Sequence, residues 1–444
     1  MPHDQRLVLA CAALAAVVAG VIGCGSNGST PTSKTPGFEI TVVIGDSLSA
    51  GFQNDSLLDS QQPNGWASLL ANQAGFKLVL PLIAPPGAPA VLQLVSLGPP
   101  PVTKQESGTS PGRDNPAAQP YDIAVPGHNL VDVINRTPVL IPTSDEDVIT
   151  DAVLALPLGD NRSQMNEAIH LKPTALFVWA GNNDALAADI AGTPAVMTPV
   201  STFTTLYQQL LSTLHTQTKA TLIVANIPDV TSVPYLTPAA EIIAEVSGAS
   251  GLPAATVSAL LGIQPGDLVN TTGLAEVQAA VAALQQGQAP TPLTDAGFLS
   301  AAEIVQVQST VDQYNAVIAQ QVTAAGGILV DMHAFFQAAT EGPITINGYP
   351  ATTAFLGGLF SLDGIHPTNT GYALIANQYI AAINAAMKTS ITPVDVSTVA
   401  SSDPLFGPNI KPVGSAVRIP LAAARQTDKV MAIAKAAIPP AAAM

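Results

Sequence analysis

Phe38-Glu39-Ile40-Thr41-Val42-Val43-Ile44-Gly45-Asp46-Ser47-Leu48 is the stretch from which the rest of this 444-residue chain can be read. Its β-branched run is continuously apolar rather than alternating, the pattern of a strand covered on both faces, and it stops at Gly45. Comparable runs recur at residues 175–179, 221–225 and 328–330, with a weaker fifth at 121–125. Between them lie segments with helical period. Residues 200–215 place Phe203, Leu206, Tyr207, Leu210 and Leu214 on one face, and 303–324 and 370–386 repeat the pattern. Strands alternating with helices predict an α/β fold, a three-layer α/β/α sandwich around a mainly parallel five-stranded sheet. In such open sheets, ligands sit at the carboxyl ends of the strands. Ser47 and Asn183 each follow the end of a predicted strand.

Two stretches interrupt the alternation. Residues 84–120 are rich in Pro and Gly and read as a surface excursion with a hairpin around 91–97. Residues 237–297 carry helical patches at 239–246, 254–261 and 274–284, broken by Gly and Pro, and read as a helical insertion capping one end of the sheet. One folded domain is expected over 38–388. The tail, 389–444, shows no clear period until 428–437 and has no assigned role.

The amino terminus reads as an export signal over residues 1–23. Arg6 gives it a positive start, and residues 7–22 are apolar but too short and alanine-rich for a good membrane span. It closes on Val21-Ile22-Gly23-Cys24, which resembles the bacterial lipobox. That resemblance implies a diacylglyceryl group on the Cys24 thiol, cleavage before Cys24, and a lipid-anchored protein of the cell envelope, at the outer membrane or cell surface. Residues 24–37, rich in Gly, Ser, Thr and Pro, form a flexible tether. Cys11 falls in the signal, so a mature chain keeps Cys24 alone. Such a chain has neither a disulfide nor a thiolate metal site. With 48% apolar residues, burial is ample for one large domain. A net charge of −16 with only 15 Lys and Arg argues against nucleic acid as a partner. Nothing in the sequence speaks to oligomeric state.

Four short blocks carry chemistry. A serine after a strand and Gly-Asp is often only a helix cap, but Ser47 is followed by small Ser49, Ala50 and Gly51, which leave its hydroxyl open. Asp46 reads as a structural carboxylate bonded to nearby backbone. Asp363 precedes His366 by three positions on a Gly-containing turn, a spacing that lets the carboxylate accept the Nδ1 proton while Nε2 faces a nucleophile. Pro367 biases His366 away from helical backbone. Pro126-Gly127 and Gly181-Asn182-Asn183-Asp184 offer a loop N–H and a carboxamide, donors suited to a developing oxyanion, with the Ser47 amide as a third. Asp184 also suits a helix cap. His128, next to Gly127, reads as a loop residue rather than one lining the site, His170, His215 and His333 read as structural, and Trp66 as packing its own helix rather than binding sugar. No phosphate-cradling loop, dinucleotide fingerprint or metal-ligand spacing is present, so neither cofactor nor metal is expected.

The order Ser, Gly, Asn, Asp-x-x-His, with Ser near the domain start, resembles the SGNH hydrolase superfamily, the GDSL esterases and lipases. The matching blocks are Ile44 to Ser49, Ala124 to Gly127, Gly181 to Asp184 and Asp363 to Pro367, followed by Gly371-Tyr372. The resemblance implies a flavodoxin-like fold and metal-free ester hydrolysis through an acyl-enzyme. Ser47 would be the nucleophile, His366 the base and then acid, and Asp363 its orienter. Ser47 and Gly127 N–H and the Asn183 side chain would form the oxyanion hole. The ester could be a lipid or an acylated glycan. Alternatives sharing the fold are a polysaccharide deacetylase, an acyltransferase and a non-catalytic envelope-binding lipoprotein. The insertion reads equally as a lid over an acyl pocket or as a helical decoration.

Overall fold

Four short strands, β1 (Thr41–Gly45), β2 (Ala175–Trp179), β3 (Thr221–Ala225) and β4 (Ile328–Val330), pair in that order, all parallel, at the centre of the computed structural model of the chain. The structure describes residues 35–97, 101–155 and 161–412. The signal, Cys24, most of the tether and the tail from 413 onward, including 428–437, lie outside the described residues. Every residue of β1 and β2 is buried, as their unbroken apolar character requires.

The regular ladder has four strands, not the five expected. Residues 121–125 run along the outer edge of β1, where Val43 N–H donates to Tyr121 O and the Ile123 and Val125 amides donate to Val43 and Gly45 carbonyls. Only Val43 and Asp122 form a β-bridge. Pro120 and Pro126 confine the stretch from both ends, and Asp122 turns its carboxylate back onto the Ala124 N–H. Counting this segment, the spatial order follows the flavodoxin-like pattern, with chain-adjacent segments lying on opposite sides of β1.

Alternating side chains fill the two faces. Phe177 and Trp179 of β2 point toward Trp66 of the helix Trp66–Ala74 and Tyr379 of the helix Asn369–Met387, where Trp66 and Tyr379 stack at 3.9 Å. Elsewhere the helices Val200–Gln217 and Ala301–Ala324 pack together through Phe203 stacked on Tyr314 at 3.9 Å. Short helices α1 (Ser47–Ala50) and α2 (Asn182–Ala191) begin at the carboxyl ends of β1 and β2. That end is where the chemistry-bearing loops gather.

Three helices occupy the insertion: α3 (Ala239–Ser250), α4 (Ala254–Leu261) and α5 (Thr271–Gln285). A small antiparallel sheet of Thr237–Pro238, Leu268–Val269 and Phe298–Leu299 ties their ends together. Their inward faces form a core of their own, with Ile242 and Ile243 from α3, Leu261 from α4 and Val277 from α5, separate from the main core. Asn270 anchors the unit by donating its carboxamide to the Asp189 and Ile190 carbonyls near the end of α2. In the earlier excursion, Leu92–Ser96 and Val102–Gln105 form the expected hairpin. Residues 389–412 are not a free extension. The helix Val396–Ser402 packs on Asn369–Met387, and the buried Asp403 carboxylate accepts from both the amide and the hydroxyl of Thr370, each at 2.7 Å. Among the described residues no helix is long and apolar enough to cross a membrane.

Candidate active site

Gly45 ends β1 with φ +149°, and a Cβ there would lie 2.2 Å from the Trp179 carbonyl oxygen. Glycine therefore lets the ends of β1 and β2 meet. Asp46 caps α1, accepting from Leu48 N–H at 3.1 Å and from the Asn182 carboxamide at 2.8 Å. Ser47 follows as the first residue of α1, so its own amide has no partner within the helix. Its side chain is almost wholly buried. Burial pushes the Asp46 carboxyl up to about 6, opposed by the Asn182 and Leu48 hydrogen bonds and the charge of His366.

Across 319 residues of sequence, His366 Nε2 stands 2.7 Å from Ser47 Oγ. Its Nδ1 lies 3.2 Å from Asp363 Oδ2, within ion-pair range although the N–H is not aligned for a hydrogen bond. The Phe52 ring covers the imidazole at 4.7 Å between centroids. Tyr372, from the helix that follows His366, donates its hydroxyl to the Phe52 carbonyl. Asp363 is fixed by four donors: Ile365 and His366 amides on Oδ1, the Asp55 amide and the Ser361 hydroxyl on Oδ2. Burial alone would raise its carboxyl, but the adjacent imidazole and these bonds outweigh burial and hold it below the usual aspartate range. Gly364, at φ +74°, allows the turn to press against Tyr235, where a Cβ would come within 2.9 Å of the Tyr235 amide nitrogen.

A buried polar chain links the remaining blocks. The Gly45 amide donates to Gln164 Oε1 at 2.8 Å, and Gln164 Nε2 donates to His128 Nδ1 at 3.0 Å. That bond makes Nδ1 the acceptor, so Nε2 carries the proton toward Thr150 Oγ1, 2.9 Å away. Burial, aided by the charge of Arg136, lowers His128 to about 3 and keeps it neutral. The His128 carbonyl then accepts from Asn183 Nδ2 at 2.9 Å, which leaves the second amide hydrogen of Asn183 for another acceptor. Gly127 precedes at φ +82°, and its amide donates to no acceptor among the described residues. Asp184, lifted by burial to about 7, ties α2 to its surroundings by accepting from the Leu130 amide and the Thr198 hydroxyl.

The structure thus brings Ser47, His366 and Asp363 into contact and links Gly127 and Asn183 through His128. The sequence singles out neither Gln164, Phe52 nor Ser361 and gives Asn182 no role of its own within its block; His128 lies in the loop after Gly127 as expected, with its ring fully buried. Ser361 and Asn182 do sit beside singled-out residues, a signal that could have found them; Gln164 has none. His170 and His215 are exposed, and Trp66 packs in the core as expected. His333 bonds the Ile227 carbonyl and lies 3.8 Å from Asp312. Among the described residues no group of three or more His, Cys, Asp or Glu side chains is arranged to hold a metal.

A serine at the carboxyl end of β1 thus contacts a histidine whose other ring nitrogen faces an aspartate. A family model for GDSL-like lipases and acylhydrolases matches residues 41–379, and the chain belongs to that family of ester hydrolases. No curated protein sequence matches significantly. Among solved structures, an extracellular lipase from Streptomyces rimosus is 13% identical, with 78% of this chain and 98% of that one covered at a TM-score of 0.33. Phospholipase A1 from Streptomyces albidoflavus gives 13%, 78%, 98% and 0.31. An α/β hydrolase from the Lake Arreo metagenome gives 13%, 78%, 95% and 0.34. These are distant likenesses.

Proposed function

We propose that this chain hydrolyses carboxylic esters through an acyl-enzyme on Ser47. The 2.7 Å contact between Ser47 Oγ and His366 Nε2 carries the reading. His366 takes the hydroxyl proton as Oγ attacks the ester carbonyl, and the Asp363 carboxylate stabilises the imidazolium that forms. The Ser47 and Gly127 amides and the second Asn183 amide hydrogen receive the oxyanion, a role worth roughly 3 to 4 kcal/mol per donor in comparable sites. Collapse breaks the C–O bond and His366 returns its proton to the leaving alcohol. Water then repeats the sequence on the acyl-serine, delivering its proton to His366 and releasing the acid.

Labelling with a fluorophosphonate, followed by peptide mass spectrometry, tests this. Modification at Ser47, lost in Ser47→Ala together with turnover of simple esters, is the expected result. A folded chain that neither labels nor turns over esters would overturn it. The sequence around Cys24 further supports export and lipid anchoring at the cell envelope. Metabolic palmitate labelling that persists in Cys24→Ala would remove that part.

A further inference from the structure

Gln164 belongs to none of the four blocks that carry chemistry, yet its side chain joins two of them. It opens the helix Gln164–Leu171, which packs on β1, and it is fully buried. Its Oε1 accepts from the Gly45 amide, 119 residues earlier in the chain, and its Nε2 reaches the His128 ring, 36 residues earlier. Because a backbone N–H can only donate, the Gly45 contact fixes which end of the carboxamide is the oxygen. His128 Nδ1 is then the acceptor at 3.0 Å, and its Nε2–H faces the Thr150 hydroxyl at 2.9 Å. Thr150 is itself fully buried on the helix Asp145–Leu154, which Arg136 holds through Glu146 at 3.0 Å and Asp147 at 2.9 Å.

With its ring buried and both nitrogens engaged, His128 has no nitrogen left for acid–base chemistry. What it presents to the site is its backbone carbonyl, which accepts from Asn183 Nδ2 at 2.9 Å. A carboxamide nitrogen carries two hydrogens in one plane, so holding one sets the direction of the other. Asn183 is half-buried, and its second hydrogen is the one assigned above to the oxyanion. Such a donor works only when held within about 0.5 Å of the productive geometry, and buried hydrogen bonds behind it are what hold it. Packing alone does not call for glutamine at residue 164. Leucine would fill similar space, but it would leave the Gly45 N–H and His128 Nδ1 without partners.

We infer that Gln164 is a positioning residue of the proposed oxyanion hole, acting through the His128 ring and carbonyl to aim the Asn183 carboxamide. The inference rests on the proposed role of Ser47. It is tested on whichever p-nitrophenyl ester the parent turns over fastest. Gln164→Leu is expected to lower kcat by about 10- to 100-fold with KM within about twofold, because the oxyanion forms only after binding. Asn183→Ala alone should lower kcat on the order of a hundredfold. In the Asn183→Ala background the effect of Gln164→Leu should shrink to about threefold or less, since no carboxamide is left to aim. Gln164→Glu keeps one oxygen for the Gly45 amide and a second for the His128 ring, and should stay within about fivefold of the parent. Equal effects of Gln164→Leu in both backgrounds, or a Gln164→Glu enzyme as slow as Gln164→Leu, would sink the positioning role while leaving the esterase intact. Should Gln164→Leu fail to fold, Thr150→Val loosens the same ring from its far side. A loss of kcat there that vanishes in the Asn183→Ala background supports the inference, whereas an unchanged kcat or a loss that persists overturns it. A parent that neither labels at Ser47 nor turns over any ester would instead remove the reading on which it rests.

Discussion

Ser47 and His366 touch in a nearly closed environment, where Ser47→Ala removes only a hydroxyl while His366→Ala also removes a ring packed on Phe52 and facing Asp363. Both are expected to lower kcat on ester substrates by about 10^4 or more, with the thermal transition little changed in Ser47→Ala and lowered in His366→Ala. Parallel kinetics and calorimetry check both halves of that statement. Asp122 supports a different prediction. Burial pushes its carboxyl up to about 8, against an ordinary value of about 3.9. Between those limits the unfolded chain has released a proton that the folded chain still holds, so stability falls as pH rises, at most about 1.4 kcal/mol per pH unit. Asparagine keeps an oxygen for the Ala124 amide and carries no charge. The melting temperature of Asp122→Asn should therefore gain on the parent from pH 5 to pH 8 and hold its lead above that. A difference independent of pH would refute the assignment.

At the scale of elements, close approach at the ends of β1 and β2 sets the site. Gly45→Ala would force a methyl against the Trp179 carbonyl in a backbone region that L-residues avoid. Strain of this kind costs about 1–3 kcal/mol, and displacement of Ser47 should cut activity as well. Denaturant midpoints and ester turnover would both fall. The segment 389–412 acts through Asp403, whose carboxylate satisfies two buried groups of Thr370 only four residues after His366. Asp403→Ala leaves them unpaired and should destabilise the chain by about 1–3 kcal/mol, measurable by urea unfolding. An Asp403→Ala chain as stable as the parent would show that this contact contributes nothing.

The described residues hold three apolar cores of unequal size. The largest surrounds the central sheet, a second lies within the helices of the insertion, and a small third joins Leu92, Leu94, Leu362 and Leu405. A small core with partly exposed walls opens at lower free energy than a large one. Amide hydrogen exchange should release α3, α4 and α5 well before β1, β2 and β3. Simultaneous exchange would mean that the insertion and the sheet unfold as one unit. The net charge of −16 suits solubility rather than anion recognition.

Residue order and local pattern alone made the α/β class legible, because a strand buried on both faces needs an unbroken apolar run such as Val42-Val43-Ile44, and a covering helix needs the period of Phe203, Tyr207 and Leu210. They also singled out Ser47, Asp363, His366, Gly127 and Asn183, since the chemistry demands those residue types on strand-end loops. Tertiary structure decided the rest. Residues 121–125 are apolar enough for a fifth strand, yet flanking prolines and the inward-turned Asp122 reduce them to one bridge. The chain from Gly45 through Gln164 and His128 to Asn183 joins residues whose spacing carries no signal, because side chains meet there only after the sheet has assembled. That α3 and α5 leave a cavity between them is likewise invisible to periodicity, which reports that a helix has an apolar face but not how far apart two such faces come to rest.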